Sequence, residues 1–234
     1  MRHNCAAQRL DLAVEAGGVL EWWPDPVIPF RGARFWQETA LTVDPDGTLL
    51  YGDLLLPGRS AAGERHDYAY YRSRLTAYRP DGTLLFTDVQ ALAPPPPGAA
   101  PLRDTLPAGL QTLGTVYLLA RSSVVGPLLV ALRDTLAQPP LADAAGGTAA
   151  LAAGDGAQPP RGRPGAPTAA PAAGQGDAAG PGVLAGCSLL PRQCGVVVRM
   201  LAADGASGRR AMAGVLACAR RHLLGADPPP PRKL

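Results

Sequence analysis

The side chains best equipped for chemistry are few: His3, His66 and His222 are the histidines of this 234-residue chain, and Cys5, Cys187, Cys194 and Cys218 its cysteines. Their spacing gives no H-E-x-x-H, no His pair one helical turn apart and no C-x2-C, the patterns that converge several nitrogen or sulfur ligands on one transition-metal ion. No permanently bound metal or other cofactor is therefore expected, and the dispersed cysteines read as reduced, mostly buried thiols. The densest ionisable group is Gly63-Glu64-Arg65-His66-Asp67. It reads as a surface turn or, more sharply, as an element that handles a metal or docks a partner. A small β-rich hydrolase built on Glu64, His66 and Asp67 is the enzymatic alternative, but neither Ser122 nor Ser188 sits in a G-x-S-x-G elbow and no glycine-rich phosphate loop follows a strand. Catalysis is not the favoured reading.

Charge narrows the partners. The formal net charge of +3 hides an asymmetry, since residues 1–92 carry nine Arg against twelve Asp and Glu. An acidic bias of this kind is compatible with transient handling of a cation, or with nothing more than a solvated surface. No basic stripe interleaved with aromatics is present, which argues against nucleic acid. The N-terminus lacks the apolar stretch of a signal peptide, and no run of about 18 apolar residues occurs, so neither secretion nor a membrane span is expected and the cytoplasm is the default.

The elements that must position these residues are strands. Arg9 to Glu15 largely alternates polar and apolar residues, as a half-buried strand must because successive side chains point to opposite faces. Gly17-Gly18 breaks it, Val19 to Trp23 resumes an extended run, and Pro24-Asp25-Pro26 removes two backbone donors at a bend or sheet edge. Arg34 to Val43 is again rich in aromatic and β-branched residues. A ten-residue phrase, Asp44 to Asp53, recurs 35 residues later as Arg79 to Asp88, each copy carrying Pro-Asp-Gly-Thr-Leu-Leu and reading as entry to a hairpin. Residues 93–110 read as a loop, Gln111 to Leu119 as a strand, and Val124 to Arg133 as a strand or a short helix.

Among residues 139–182, eighteen are Gly or Pro and fifteen are Ala, too little apolar surface to offset the entropy of ordering. The reading is a disordered Ala/Gly/Pro-rich insertion over 134–182, between a β-rich part at 1–133 and a part at 183–234 that completes the same domain with a hairpin and a helix. That helix is expected over 208–224, with Ser207 as N-cap, His222 packed on its apolar face and Gly225 ending it.

Leu20-Glu21-Trp22-Trp23-Pro24-Asp25-Pro26-Val27-Ile28-Pro29-Phe30-Arg31-Gly32-Ala33-Arg34-Phe35 resembles the "LEWLPDPxIPFxGARF" signature of the urease accessory proteins of the UreD/UreH type, with Trp23 in place of Leu. Gly58 to Glu64 is similar to the same family's "GRxxxGE", Cys5-Ala6-Ala7-Gln8 to its "CAEQ", and Leu189-Leu190-Pro191-Arg192 with Val197-Val198-Arg199 to its ending. The match covers about 4–133 and 183–234. Because the family carries further strands before "CAEQ", Met1 is expected to begin inside the fold, and a fragment without assembly function stands as a further alternative.

The resemblance implies an all-β, β-helix-like stack of short strands with a small C-terminal helical element. It also implies a non-enzymatic scaffold that binds apo-urease and UreF-type and UreG-type partners while nickel passes in transit. Carriers that must release the ion should be weak oxygen donors, and the acids in or beside the motifs are Glu21, Asp25, Asp53 and Glu64. Arg34, Gly58, Arg59 and Gly63 are expected to shape the turns. Circular dichroism of the purified chain should show a dominant β signal with a minor helical part, and a mainly helical spectrum would contradict the fold expected here.

Overall fold

The computed structural model describes residues 5–93, 106, 109–137 and 182–228. Of the loop expected over 93–110, residues 94–105, 107 and 108 lie outside the described residues, as do residues 138–181 of the insertion expected over 134–182; residues 134–137 are not part of an unstructured insertion but the end of a helix. Among the described residues nine strands run β1 (Ala6–Val14), β2 (Val19–Trp22), β3 (Arg34–Val43), β4 (Thr48–Leu55), β5 (Tyr70–Tyr78), β6 (Leu84–Leu92), β7 (Thr112–Leu119), β8 (Val183–Leu189) and β9 (Gly195–Ala202). Two helices accompany them, α1 (Ser122–Ala137) after β7 and α2 (Gly205–Leu224) after β9.

Two sheets result. One has the order β1-β3-β5-β6 and the other β2-β4-β7-β9-β8. From β1 to β5 the chain alternates between them, so β1, β3 and β5 pair in parallel, as do β2 and β4. The corners of this path stack on one another: Asp44 donates its amide to the Val14 carbonyl and Thr48 to that of Gly18, both at 2.9 Å. From β6 onward every pairing is antiparallel. The coiling path is thus limited to the first strands, and a β-helix-like stack does not describe the whole. The architecture is mostly β, but not all-β, with two helices forming a third layer on the outer face of the five-stranded sheet.

Burial explains which sequence patterns announced themselves. The four-stranded sheet is half-solvated, so β3 alternates strictly between buried and less buried positions. The five-stranded sheet is covered by the other sheet on one side and by helices on the other, which is why Val196-Val197-Val198 can be an unbroken apolar run. α1 settles the strand-or-helix ambiguity over 124–133. Val125, Leu128, Leu129 and Leu132 are buried at helical spacing, joining Val116, Val198 and Val215 of β7, β9 and α2 in one core.

Three local expectations change. The Asp44–Gly47 turn joins β3 and β4, which lie in different sheets, so it forms a corner and not a hairpin. The second copy does join antiparallel neighbours, β5 and β6, with Gly82 at φ 84°. Asp204, not Ser207, caps α2, because its carboxylate reaches the Ser207 amide at 2.7 Å and lets Gly205 and Ala206 enter the helix. His222 is exposed, its Nδ1 3.1 Å from the Cys218 carbonyl, so the helix itself satisfies the ring nitrogen and nothing draws it into the core. Cys194 and Cys218 are buried, Cys187 is half-buried and Cys5 is exposed.

Gly195 marks the tightest approach in the sheet. A Cβ there would lie 2.1 Å from the Leu118 carbonyl oxygen, a backbone atom that cannot swing aside. We expect Gly195→Ala to lower stability by about 3 kcal/mol, as overpacking against an immovable neighbour does, seen as a reduced urea midpoint. An unchanged midpoint would contradict the close pairing of β7 and β9.

Candidate functional site

The space between the sheets is divided. At one end Leu41, Leu49, Leu75, Phe86 and Leu119 belong to one apolar cluster. At the other, Leu55, Tyr68 and Tyr71 form a second, with Phe35, Leu92 and Leu113 packed against it. Between them six strands turn one or two polar side chains inward at the same level: Gln37 and Thr39 from β3, Asp53 from β4, Ser73 from β5, Asp88 and Gln90 from β6, Thr115 from β7 and Arg199 from β9. The period of two that lines up Leu49, Tyr51, Asp53 and Leu55 on one face of β4 is what brings an acid into an otherwise apolar row. A cavity of about 20 Å³, lined by Asp53, Asp88, Tyr117 and Arg199 among others, lies inside this layer. It is large enough for about one water.

The two carboxylates are held differently. Asp88 accepts from the Tyr117 hydroxyl at 2.5 Å and pairs with Arg199, whose side chain remains about half exposed. Asp53 has no cation in contact among the described residues; Gln37 Nε2 donates to it at 3.3 Å and to the Tyr51 hydroxyl at 3.2 Å. Burial therefore dominates, and the Asp53 carboxyl is raised to about 6, the amide of Leu54 and the Gln37 side chain opposing the shift. Burial, and next the Asp53 charge, pushes Tyr51 up to about 12. Tyr117 is raised further by burial and by Asp88. The tyrosines are thus neutral hydroxyls at any ordinary pH, and Asp53 is the group able to change its charge near neutrality. Chemically the layer is a set of hard oxygen atoms with one loosely committed carboxylate, suited to hold a proton, a water or a hard cation briefly.

The motif turns form a second feature, removed from the layer. Gly58 and Gly63 take φ 136° and 75°, conformations that favour glycine. Between them Arg59 clamps Glu64 through two bonds of 2.9 and 2.5 Å, and the Arg31 amide donates to the same carboxylate at 3.2 Å. Arg59 holds the Glu64 carboxyl below its usual range, burial opposing. Glu64 is only 6% exposed. This turn therefore ties the two signature segments together.

The structure does not join the acids proposed from sequence into one group. Glu21 pairs with Arg220 of α2, Asp25 is exposed, Glu64 is locked by Arg59, and Asp53 alone faces the inter-sheet layer. Arg34 is exposed at the start of β3. Glu64, His66 and Asp67 also diverge: Asp67 bonds Arg31, and His66 Nδ1 lies 3.3 Å from the Tyr68 hydroxyl. Burial lowers the His66 pKa. No relay connects the three, so the hydrolase alternative has no geometric support. Among the described residues no three His, Cys, Asp or Glu side chains gather as a metal site, and no helix is long and apolar enough to cross a membrane. Sequence reasoning missed Gln37, Gln90, Thr115, Tyr117 and Arg199. It had one signal for Asp88, because Asp53 and Asp88 are the closing residues of the two repeat copies, and both line the same cavity.

A titration follows. The unfolded Asp53 carboxyl titrates near 3.8 and the folded one near 6, so between these values the folded chain holds a proton that the unfolded chain releases. Stability must fall as pH rises through that window, by roughly 3 kcal/mol for a shift of this size. Asp53→Asn removes the titration, and should melt several degrees above the wild type at pH 8 but within about one degree of it at pH 4. Equal melting temperatures at both pH values would refute the isolation of this carboxylate.

Comparison with known proteins adds the family. The family model for UreD urease accessory protein matches residues 1–233. The chain is 34% identical over 233 residues to urease accessory protein UreD 2 of Streptomyces griseus, an alignment covering all of this chain and 65% of that protein. It is 30% identical over 233 residues to UreD of Photorhabdus laumondii, covering 99% of the chain and 59% of the relative. A shorter stretch of 90 residues is 44% identical to UreD 3 of Methylorubrum populi, covering 38% of the chain and 29% of that protein. The chain thus spans about three fifths to two thirds of the length of the first two relatives. A match along its whole length, together with the signature turns that the structure brings side by side, places this chain in the UreD urease accessory protein family.

Proposed function

We propose that this chain acts as a cytoplasmic, non-enzymatic scaffold in urease maturation, binding apo-urease together with UreF-type and UreG-type partners while nickel is delivered. Residues 1–133 and 183–234 are taken as one domain, since β9 lies beside β7. The observation that carries the nickel part is the oxygen-rich layer between the sheets. A divalent ion passing through a protein must exchange its water shell for donors that let it go again, and carboxylate, amide and hydroxyl oxygens meet that need where thiolates and imidazoles would retain it.

Asp53 is the principal group in this reading. Its ionised form is destabilised by burial, so an arriving cation gains the full attraction of a carboxylate that no cation among the described residues contacts. Arg199, paired with Asp88, sets the opposite charge at one side of the layer and would repel a cation from lingering there. Glu21, Asp25 and Glu64 remain proposed stations outside the layer, the first and last held in ion pairs that an arriving ion would have to open.

The experiment is activation of apo-urease by the accessory complex containing this chain or its Asp53→Asn variant. We expect activation to drop about tenfold or more while the variant co-purifies with its partners as the wild type does. Loss of assembly and activation together would assign Asp53 to the fold, and full activation would remove it from the nickel path.

A further inference from the structure

The two signature segments, separated in sequence, meet the N-terminal half of α2 on one face of the molecule. There a cleft of about 700 Å³ is lined by Ile28, Leu56, Arg59, Arg65, Asp204 and Arg209. A second hollow of about 250 Å³ lies between Trp23, Asp25, Met212 and Leu216, and Arg209 borders both. The larger part is basic. Arg65 and Arg209 are exposed and have no carboxylate partner among the described residues, while the one acid in its wall, Asp204, is committed to capping α2. The smaller part is mostly apolar, with Asp25 and Arg209 also in its lining. Its floor is the Trp23 ring, set so close to β4 that a Cβ on Gly52 would lie 2.2 Å from it. The Trp23 Nε1 is buried with no acceptor among the described residues.

The rim is apolar as well. Ile28 is 47% exposed and Phe30 57% exposed, and the Arg59 guanidinium sits 4.6 Å from the Phe30 ring centroid. Such a pairing holds a large apolar side chain in solvent beside a cation. Exposed aromatic and aliphatic groups beside unpaired guanidinium groups are the composition of a protein-binding surface, where Arg and aromatics anchor the contact.

We infer that this face receives an extended segment of a partner protein that carries acidic side chains next to an aliphatic anchor. The acids lie over Arg65 and Arg209, and the anchor fills the hollow between Trp23 and Met212. Charge complementarity selects acids over the larger cleft, which among the described residues offers two unpaired cations and one lining carboxylate, Asp204, taken up by the cap, while Asp25 disfavours acids in the smaller hollow and leaves it to the aliphatic anchor. The elongated, two-part shape selects a chain over a small anion. The inference rests on the scaffold reading above and gives its partner a chemical description: the docking segment is acidic and aliphatic, and it holds the turn Arg59–Glu64 on one side and α2 on the other. It also gives that clamped turn a purpose, since Arg59 and Glu64 fix the wall from which Arg65 projects.

The test uses the chain with apo-urease and its UreF-type and UreG-type partners, purified together under gentle conditions. In the double variant Arg65→Glu with Arg209→Glu, retention of partner should fall about tenfold or more, with the melting temperature unchanged because both side chains are exposed. The control Arg72→Glu with Arg74→Glu, on the outer face of the four-stranded sheet, should retain partner normally. Benzoyl-phenylalanine in place of Ala213, in the hollow, should crosslink to a partner peptide richer in Asp and Glu than in Lys and Arg. If the wild-type chain assembles and the Arg65/Arg209 variant assembles equally, or if the crosslink falls on a basic segment or on a second copy of this chain, the docking inference is overturned and the scaffold reading stands. If the wild-type chain assembles with none of these partners, both are overturned.

Discussion

A half-buried carboxylate between two sheets, with no cation in contact among the described residues, is the constraint on which the rest of this molecule turns. An inter-sheet core is ordinarily apolar from end to end, because an unpaired buried charge is heavily penalised. Here the core is apolar at both ends and polar in the middle. Asp53 sits in that middle with Gln37 and the Leu54 amide as its donors. The surrounding hydroxyls and amides are arranged around it and around Asp88, so that the layer is hydrogen-bonded in plane while Leu49 and Leu55 seal it from above and below along β4. A layer of this kind destabilises the fold, and its persistence is better explained by what it does than by what it stabilises.

That destabilisation has to be offset elsewhere, and the helical layer is where the structure does so. α1 and α2 cover the outer face of the five-stranded sheet with the largest apolar cluster among the described residues. β4, β7 and β9 are therefore anchored from outside, and their inward side chains are free to be polar at one level. Close backbone approaches tighten the same strands. Gly52 admits the Trp23 ring and the Met212 side chain, and Gly195 admits the Leu118 carbonyl. Trp23 thus links the family signature, the strand that carries Asp53 and the helix that borders the basic cleft.

Much of the fold was legible in the sequence because its signals are local. Alternation marked β1, aromatic and β-branched residues marked β3, Pro-Asp-Gly marked both turns, and the hairpin expected after residue 183 is the antiparallel pair β8 and β9. What escaped was non-local. The same Pro-Asp-Gly phrase closes a hairpin once and turns a corner between sheets once, since which strand lies beside which is decided by the parallel pairing of β1, β3 and β5, not by the turn. α1 was ambiguous because an apolar run of that length fits a buried strand as well as a helix, and only burial singles out 125, 128, 129 and 132 at helical spacing. Of the candidate site, the sequence offered Asp53 through its place beside the motifs. Its partners come from strands scattered between residues 37 and 199, and only the stacking of two sheets reveals that their polar positions share a level.

Membership of the UreD family rests on the match over residues 1–233, and the chain's span of 65% of its Streptomyces relative leaves the activity of the whole to experiment. The physical claim at the centre is narrower: burial, with no compensating cation among the described residues, holds the Asp53 carboxyl above its ordinary range. Carbon-13 NMR titration of the side-chain carboxyl, assigned by comparison with Asp53→Asn, measures this directly. The structure predicts an inflection near pH 6 for this one group. An inflection near pH 4, the value of an ordinary solvated aspartate, would mean that water or a cation reaches Asp53 freely and would contradict the polar layer as described.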